Sequence, residues 1–179
     1  MNFYGAKELA ASFRTVRNNT ITIAEEIPAE AYTKPLAPGL RTVAQLLTHI
    51  AVSYRLQHQV HAVQPINTLE GFDFPGFFGG MMAEEQKSRD KAQLIQLLQE
   101  NGELFAKWLE SLSDNFLGEM VAMPAGMTPA AKSRFEMLLS VKEHEMHHRG
   151  QLMMFERTLG QVPHLTRQFI AHMEAAQKK

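Results

Sequence analysis

Two histidines four residues apart, His144 and His148, stand in the run Glu143-His144-Glu145-Met146-His147-His148-Arg149-Gly150-Gln151. On an α-helix a four-residue step is about 40° of rotation and roughly one turn of rise, so both imidazoles can address one ion. Met137, Val141, Leu152, Phe155 and Leu159 recur at helical spacing on or beside the same face, which turns the pair toward a core. A third histidine, His49, sits among Leu46, Ser53, Leu56 and Val60 on the apolar stripe of another segment. Three imidazoles from two helices, with no fourth ligand evident, make an open site for a divalent ion. Imidazole suits both zinc and nickel. His147, about 60° from His144 around the helix, is an alternative ligand, and His58 and His61 point too far from His49 to share its ion. His164 and His172 are expected at the surface.

The same run spells His-Glu-x-x-His, the zinc-protease pattern in which Glu145 would be the general base. The surroundings argue against it. No sheet is evident, and Gln151 and Met154 stand where the extended motif needs glycine and a third histidine. Glu145 is open to three readings: an acceptor beside the site, a base, or a solvated glutamate, the last preferred. Gln151 returns to within about 20° of the His144 direction two turns on, where it can hydrogen-bond near the site. Arg149 points away, toward a structural ion pair. Gly150, which costs about 1 kcal/mol of helix propensity against alanine, suggests the close approach of another group.

Helices must position these residues. Ala6, Leu9, Phe13, Val16, Thr20, Ile23 and Ile27 trace a stripe that predicts a helix over 5–26. Pro28, Pro35, Pro38 and Gly39 make 28–40 a connection. Thr42-Val43-Ala44-Gln45 is a capping-box pattern opening a helix that runs to about Val63. Residues 65–82, rich in glycine and phenylalanine, read as an apolar connection packed over one end of the bundle or into a subunit contact, or as a pocket wall or lid. A third helix begins between Ala83 and Asp90 and ends near Leu112, with Asn101 interrupting its stripe as a hydrogen-bonded core or edge residue. The fourth opens at Thr128-Pro129 or at the capping box Ser133-Arg134-Phe135-Glu136 and stops at Gly160. A short amphipathic helix over about 166–177 closes the chain. No strand is evident. The expectation is an all-α, single-domain chain over 1–179, a four-helix bundle with long inter-helix connections and a short C-terminal extra helix.

Composition narrows the function classes. Eighteen basic and 19 acidic residues give a net charge of −1 without blocks of one sign, unlike a nucleic-acid-binding surface. The absence of cysteine removes disulfides, thiolate ligands and a cysteine nucleophile. The first residues lack a signal-peptide pattern, and no apolar run reaches the ~20 residues of a membrane span. A cytoplasmic location is expected, with a small molecule as partner.

Gly39-Leu40-Arg41-Thr42-Val43-Ala44-Gln45-Leu46-Leu47-Thr48-His49-Ile50 and His144-Glu145-Met146-His147-His148-Arg149-Gly150-Gln151-Leu152 together resemble the DinB/YfiT-like superfamily. The spacing between the blocks and the helix order resemble it as well, whereas the Phe/Gly loop is longer and more aromatic than that pattern. The resemblance implies a four-helix bundle, often a homodimer, with a three-histidine metal site that maps onto His49, His144 and His148. It also implies metal-dependent thiol transfer to electrophiles, isomerisation with a thiol cofactor, or no established activity. The leading expectation is therefore a metal-dependent enzyme in which an ion activates a thiol, from a low-molecular-weight cosubstrate, or a water, giving a transferase or a hydrolase. The alternative is a non-enzymatic, metal-stapled bundle serving in stress-related binding or dimerisation. A haem or di-iron bundle fares worse, since Glu145 and His148 have no paired Glu-x-x-His counterpart on another helix.

Overall fold

A computed structural model describes residues 4–177. Four helices form the bundle: α1 (Ala6–Glu26), α2 (Val43–Val52) with its continuation α3 (Arg55–His58), α5 (Lys91–Glu110) and α7 (Arg134–Thr158). The chain also holds α4 (Phe74–Glu85), α6 (Asp114–Gly118) and α8 (His164–Gln177). The expected bundle with long connections and an extra C-terminal helix is thus present. Helix starts follow their capping boxes. Thr42 Oγ1 accepts from Gln45 N while Gln45 Oε1 accepts from Thr42 N, and Ser133 pairs with Glu136 in the same way. The last turn of α7 gives way to Gly160 at φ 78°, a conformation that suits glycine.

Three expectations need correction. The helix expected from Thr42 to Val63 is interrupted by a turn at Ser53-Tyr54, where the Ser53 hydroxyl donates to Ile50 O at 3.0 Å, and ends in one π turn over Gln59–Val63; a side chain bonding into the backbone ladder competes with the helix there. The Phe/Gly segment is not all loop. Asp73 Oδ1 accepts from Gly76 N at 2.9 Å and Pro75 occupies the first turn, which starts α4 despite its glycines. A small antiparallel ribbon also exists, β1 (Met120–Ala122) against β2 (Ala131–Ser133), pairing Val121 with Lys132. Its strands are three residues long, too short to show a period-two pattern.

The bundle core has two apolar layers, and a third, smaller cluster of Val60, Leu69, Val121 and Met137 lies beside the ribbon. Ile23, Ile27, Leu46, Leu47, Leu94 and Leu152 fill one end; Leu9, Phe13, Phe105, Leu109 and Leu138 fill the other. Between them in each helix lies a polar crossing. Arg17 of α1 donates through Nε to both carboxylate oxygens of Glu145 of α7, at 2.9 and 3.1 Å, and through Nη2 at 2.9 Å. Its Nη1 donates to Leu98 O of α5 at 2.7 Å and its Nη2 to Ile50 O of α2 at 3.3 Å. One guanidinium therefore ties all four bundle helices. Gly102 makes room for it, because a Cβ there would lie 2.8 Å from Arg17 Cγ. Neighbouring Asn101 donates to Ala51 O at 3.1 Å, as an edge asparagine should.

Candidate metal centre

Helices α2 and α7 bring the three expected histidines together. His144 Nε2 lies 3.0 Å from His49 Nε2 and 3.1 Å from His148 Nε2, and all three ligand atoms fall within 4.8 Å of one another. Nitrogens bound to zinc at 2.0–2.1 Å in tetrahedral array would stand about 3.3 Å apart. The two spacings from His144 are within a few tenths of an ångström of that.

The proton positions are set from outside the cluster. His49 Nδ1 is 2.8 Å from the carboxylate of Glu85, the last residue of α4; an ionised carboxylate only accepts, so Nδ1 carries the proton and Nε2 the lone pair. His148 Nδ1 donates to Gln151 Oε1 at 2.8 Å, leaving its Nε2 a lone pair too. The Gln151 Nε2 in turn lies 3.2 Å from His147 Nε2, so the same amide contacts both rings. Neutral His144 has one proton and could bridge only one of its neighbours. Its Nδ1 is buried with no partner among the described residues. Three convergent lone pairs, for which protons cannot compensate, are the donor set of a divalent cation, so the residues present fit such an ion.

Electrostatics hold the rings in the ligating form. Burial pushes all three below the ordinary histidine range, His144 to about 4, with its neighbouring imidazoles adding to the effect. The Glu85 hydrogen bond opposes this at His49 but does not reverse it. Glu85 is itself held by Arg41, whose Nε donates to Oε2 at 2.6 Å and Nη2 to Oε1 at 3.2 Å. Arg41-Glu85-His49 is thus a chain that orients the ring and raises its basicity as a ligand.

The site opens on one side to a cavity of about 390 Å³ walled by Ser53, Leu56, Phe78, Met81, Val141 and His144. That volume lies in the range that accommodates a small organic molecule. The model of the DinB family matches residues 1–179. The chain belongs to the DinB family. Among solved structures, this DinB-family chain is similar to YfiT from Bacillus subtilis at 16% identity and TM-score 0.67, over 90% of this chain and 91% of that one. YfiT is described as a probable metal-dependent hydrolase with an unusual four-helix bundle topology. A second similar structure is a DinB-like protein, YjoA, from Bacillus subtilis, at 21% identity and TM-score 0.62, over 87% and 93% of the two chains. At these identities the likeness concerns the fold. Comparison with curated proteins gives no match.

Other site expectations fare differently in this DinB chain. Glu145 is neither solvated nor beside the triad: it is fully buried and directed at Arg17. Next to His144 in sequence, it lies about 100° around the helix, and that rotation turns it onto α1. Gln151 lies beside His148, and His147 is exposed, bonded to Gln151 and not to the cluster. Gly150 has no group near its missing Cβ, so close packing does not account for it. His164 is buried, its Nε2 3.2 Å from Asn19 Oδ1, because α8 starts against the end of α1. Glu85 went unnoticed in the sequence. The only trace of its placement was Asp73-Phe74-Pro75, a helix start whose reading was masked by the glycines that follow.

Proposed function

We propose that the protein is a metal-dependent enzyme in which a divalent ion, zinc or nickel, held by His49, His144 and His148, activates a water or a low-molecular-weight thiol for attack on a small electrophile. The observation that carries this reading is the convergence of three imidazole nitrogens, those of His49 and His148 directed by outside partners, at the wall of an apolar cavity. Such an ion, when bound, lowers the pKa of a water or thiol so that the nucleophile exists at neutral pH.

The chain's own residues do the rest. Glu85 and Arg41 hold His49, Gln151 holds His148, and burial keeps the rings neutral and ligating. Leu56, Phe78, Met81 and Val141 exclude water and place an apolar reactant against His144. Glu145, committed to Arg17, is no base here. A purely structural staple would gain nothing from an open cavity at one ligand, which favours the enzymatic reading over the non-enzymatic one. The description of YfiT as a probable metal-dependent hydrolase supports water as a nucleophile; the resemblance seen in the sequence supports a thiol. A homodimer is the proposed assembly.

Turnover separates these readings. Ester and amide panels in buffer, and electrophile panels with added thiols, are assayed with metal-loaded protein, with chelator-treated protein and with His144→Ala. Metal-dependent product formation lost in His144→Ala supports the enzyme, and the productive panel names the nucleophile. Chelation that lowers the melting temperature, with no turnover on any panel, would leave a staple.

A further inference from the structure

A second, smaller cavity of about 160 Å³ adjoins the one at His144, and the two share Leu56, Gln57 and Ser140 in their walls. Its remaining lining is apolar, with Val60, Leu69, Phe74, Met123 and Met137, except for Lys132. Lys132 stands on β2 opposite Val121 and is half-buried. Its ammonium makes no hydrogen bond or ion pair among the described residues. Glu136, which feels its charge, already accepts from Ser133 N and Oγ.

Gln57 supplies the other polar group, and its orientation is dictated from behind. Arg134, buried, can only donate, so its Nη1 gives a hydrogen bond to His61 Nδ1 at 2.8 Å. A neutral ring accepting at Nδ1 carries its proton on Nε2, which donates to Gln57 Oε1 at 3.0 Å. Burial and Arg134 hold His61 neutral, well below the ordinary histidine range at about 4. With the Gln57 oxygen thus engaged, its amide N–H₂ is left for the shared wall of the two cavities, where it donates to no group among the described residues. The Ser140 hydroxyl in the shared wall spends its proton on Met137 O at 2.6 Å, so the donors left to the chamber among the described residues are the directed Gln57 N–H and the Lys132 ammonium; these select acceptor oxygens, and the charge selects an anion.

Building on the metal-dependent reading above, we propose that the two cavities form one two-chamber site for an elongated apolar acid, its carboxylate bound in the smaller chamber by Lys132 and the Gln57 amide and its far end lying at His144. The smaller chamber has room for the acid group and a short length of chain, and the larger for the body of the molecule. Arg134 and His61 are positioning residues, acting through Gln57. The reactive position of the substrate is then remote from its carboxylate, at the opposite end of the molecule.

Calorimetric titration with decanoate, decanol and decylamine tests this without reference to turnover. Metal content is measured on the same samples. Wild type should bind decanoate tightest and decylamine weakest. Lys132→Met should weaken decanoate about tenfold and leave decanol unchanged, as expected for loss of one partly exposed charged partner. Gln57→Met should weaken decanoate to a smaller degree. Equal binding of acid and alcohol by wild type, no binding of any of the three, or a Lys132→Met variant that still prefers the acid as wild type does would each overturn the proposal. Acid preference in protein that takes up no metal would uphold the acid site while removing the metal reading on which its catalytic use rests. Full metal occupancy without acid preference would do the reverse.

Discussion

Replacing Glu145 by alanine should unfold the protein more easily and leave the histidine site chemically competent. The carboxylate is 0% exposed and its partner Arg17 3%, so the substitution strands a guanidinium in the core with only the Leu98 and Ile50 carbonyls for company. Breaking a buried pair by removing one partner costs about 3–5 kcal/mol, which in a domain of this size lowers the melting midpoint by roughly 10 °C. Removing both charges with well-packed apolar residues, Arg17→Met with Glu145→Leu, should recover most of that loss, because the desolvation cost of both ions disappears as well. The assay is thermal unfolding by circular dichroism, paired with metal content and turnover on the same preparations at a temperature where each variant is folded. A Glu145→Ala protein that melts like wild type but has lost turnover would refute the reasoning and restore Glu145 as a base.

Other perturbations bear on separate parts of the account. Glu85→Gln should keep the fold but loosen His49, lowering metal affinity about 10–100-fold in a competition titration; unchanged affinity would remove Glu85 from the site. His147→Ala should leave metal stoichiometry unaltered, since that ring is exposed and its hydrogen bond among the described residues goes to Gln151; a loss of metal would make it a ligand. Glu156 is fully buried with neither carboxylate oxygen paired among the described residues, and burial, with Glu26 nearby, pushes it up to about 7. Its native state holds a proton that the unfolded chain releases near 4.5, so the stability it allows is greatest below that value and falls as pH rises toward 7. The buried histidines act oppositely: their native pKa values lie below 6.5, so their contribution grows as pH rises through that range. The difference between the wild-type and Glu156→Gln stability curves isolates the glutamate. It should favour the variant by on the order of 2–3 kcal/mol above pH 7 and vanish near pH 4, whereas a flat difference would contradict the assignment.

Much of this architecture was legible before any coordinates, and the reasons are local. Capping boxes at Thr42 and Ser133 are reciprocal hydrogen bonds between residues three apart, so sequence displays them directly, and the stripes of α1, α5 and α7 are single-helix properties. The histidine triad was visible because two ligands share a helix face and the third interrupts an apolar stripe. What sequence hid depends on tertiary partners. Glu145 and Arg17 are 128 positions apart, and nothing local marks either as buried. Glu85 acquires its role only because α4, a helix with glycine at Gly76, Gly79 and Gly80, folds back onto α2. The chain Arg134-His61-Gln57 joins three elements, and each residue alone reads as an ordinary polar side chain. His164 looked exposed beside Pro163, yet packs against Asn19 of a helix more than a hundred residues away.

The central claim is that His49, His144 and His148 hold one divalent ion. Elemental mass spectrometry of protein purified without an affinity metal, and then reconstituted with zinc or nickel, measures it most directly. Wild type should carry about one ion per chain, His49→Ala, His144→Ala and His148→Ala should each lose most of it, and the triple variant should carry none. Full occupancy in the triple variant would contradict the account.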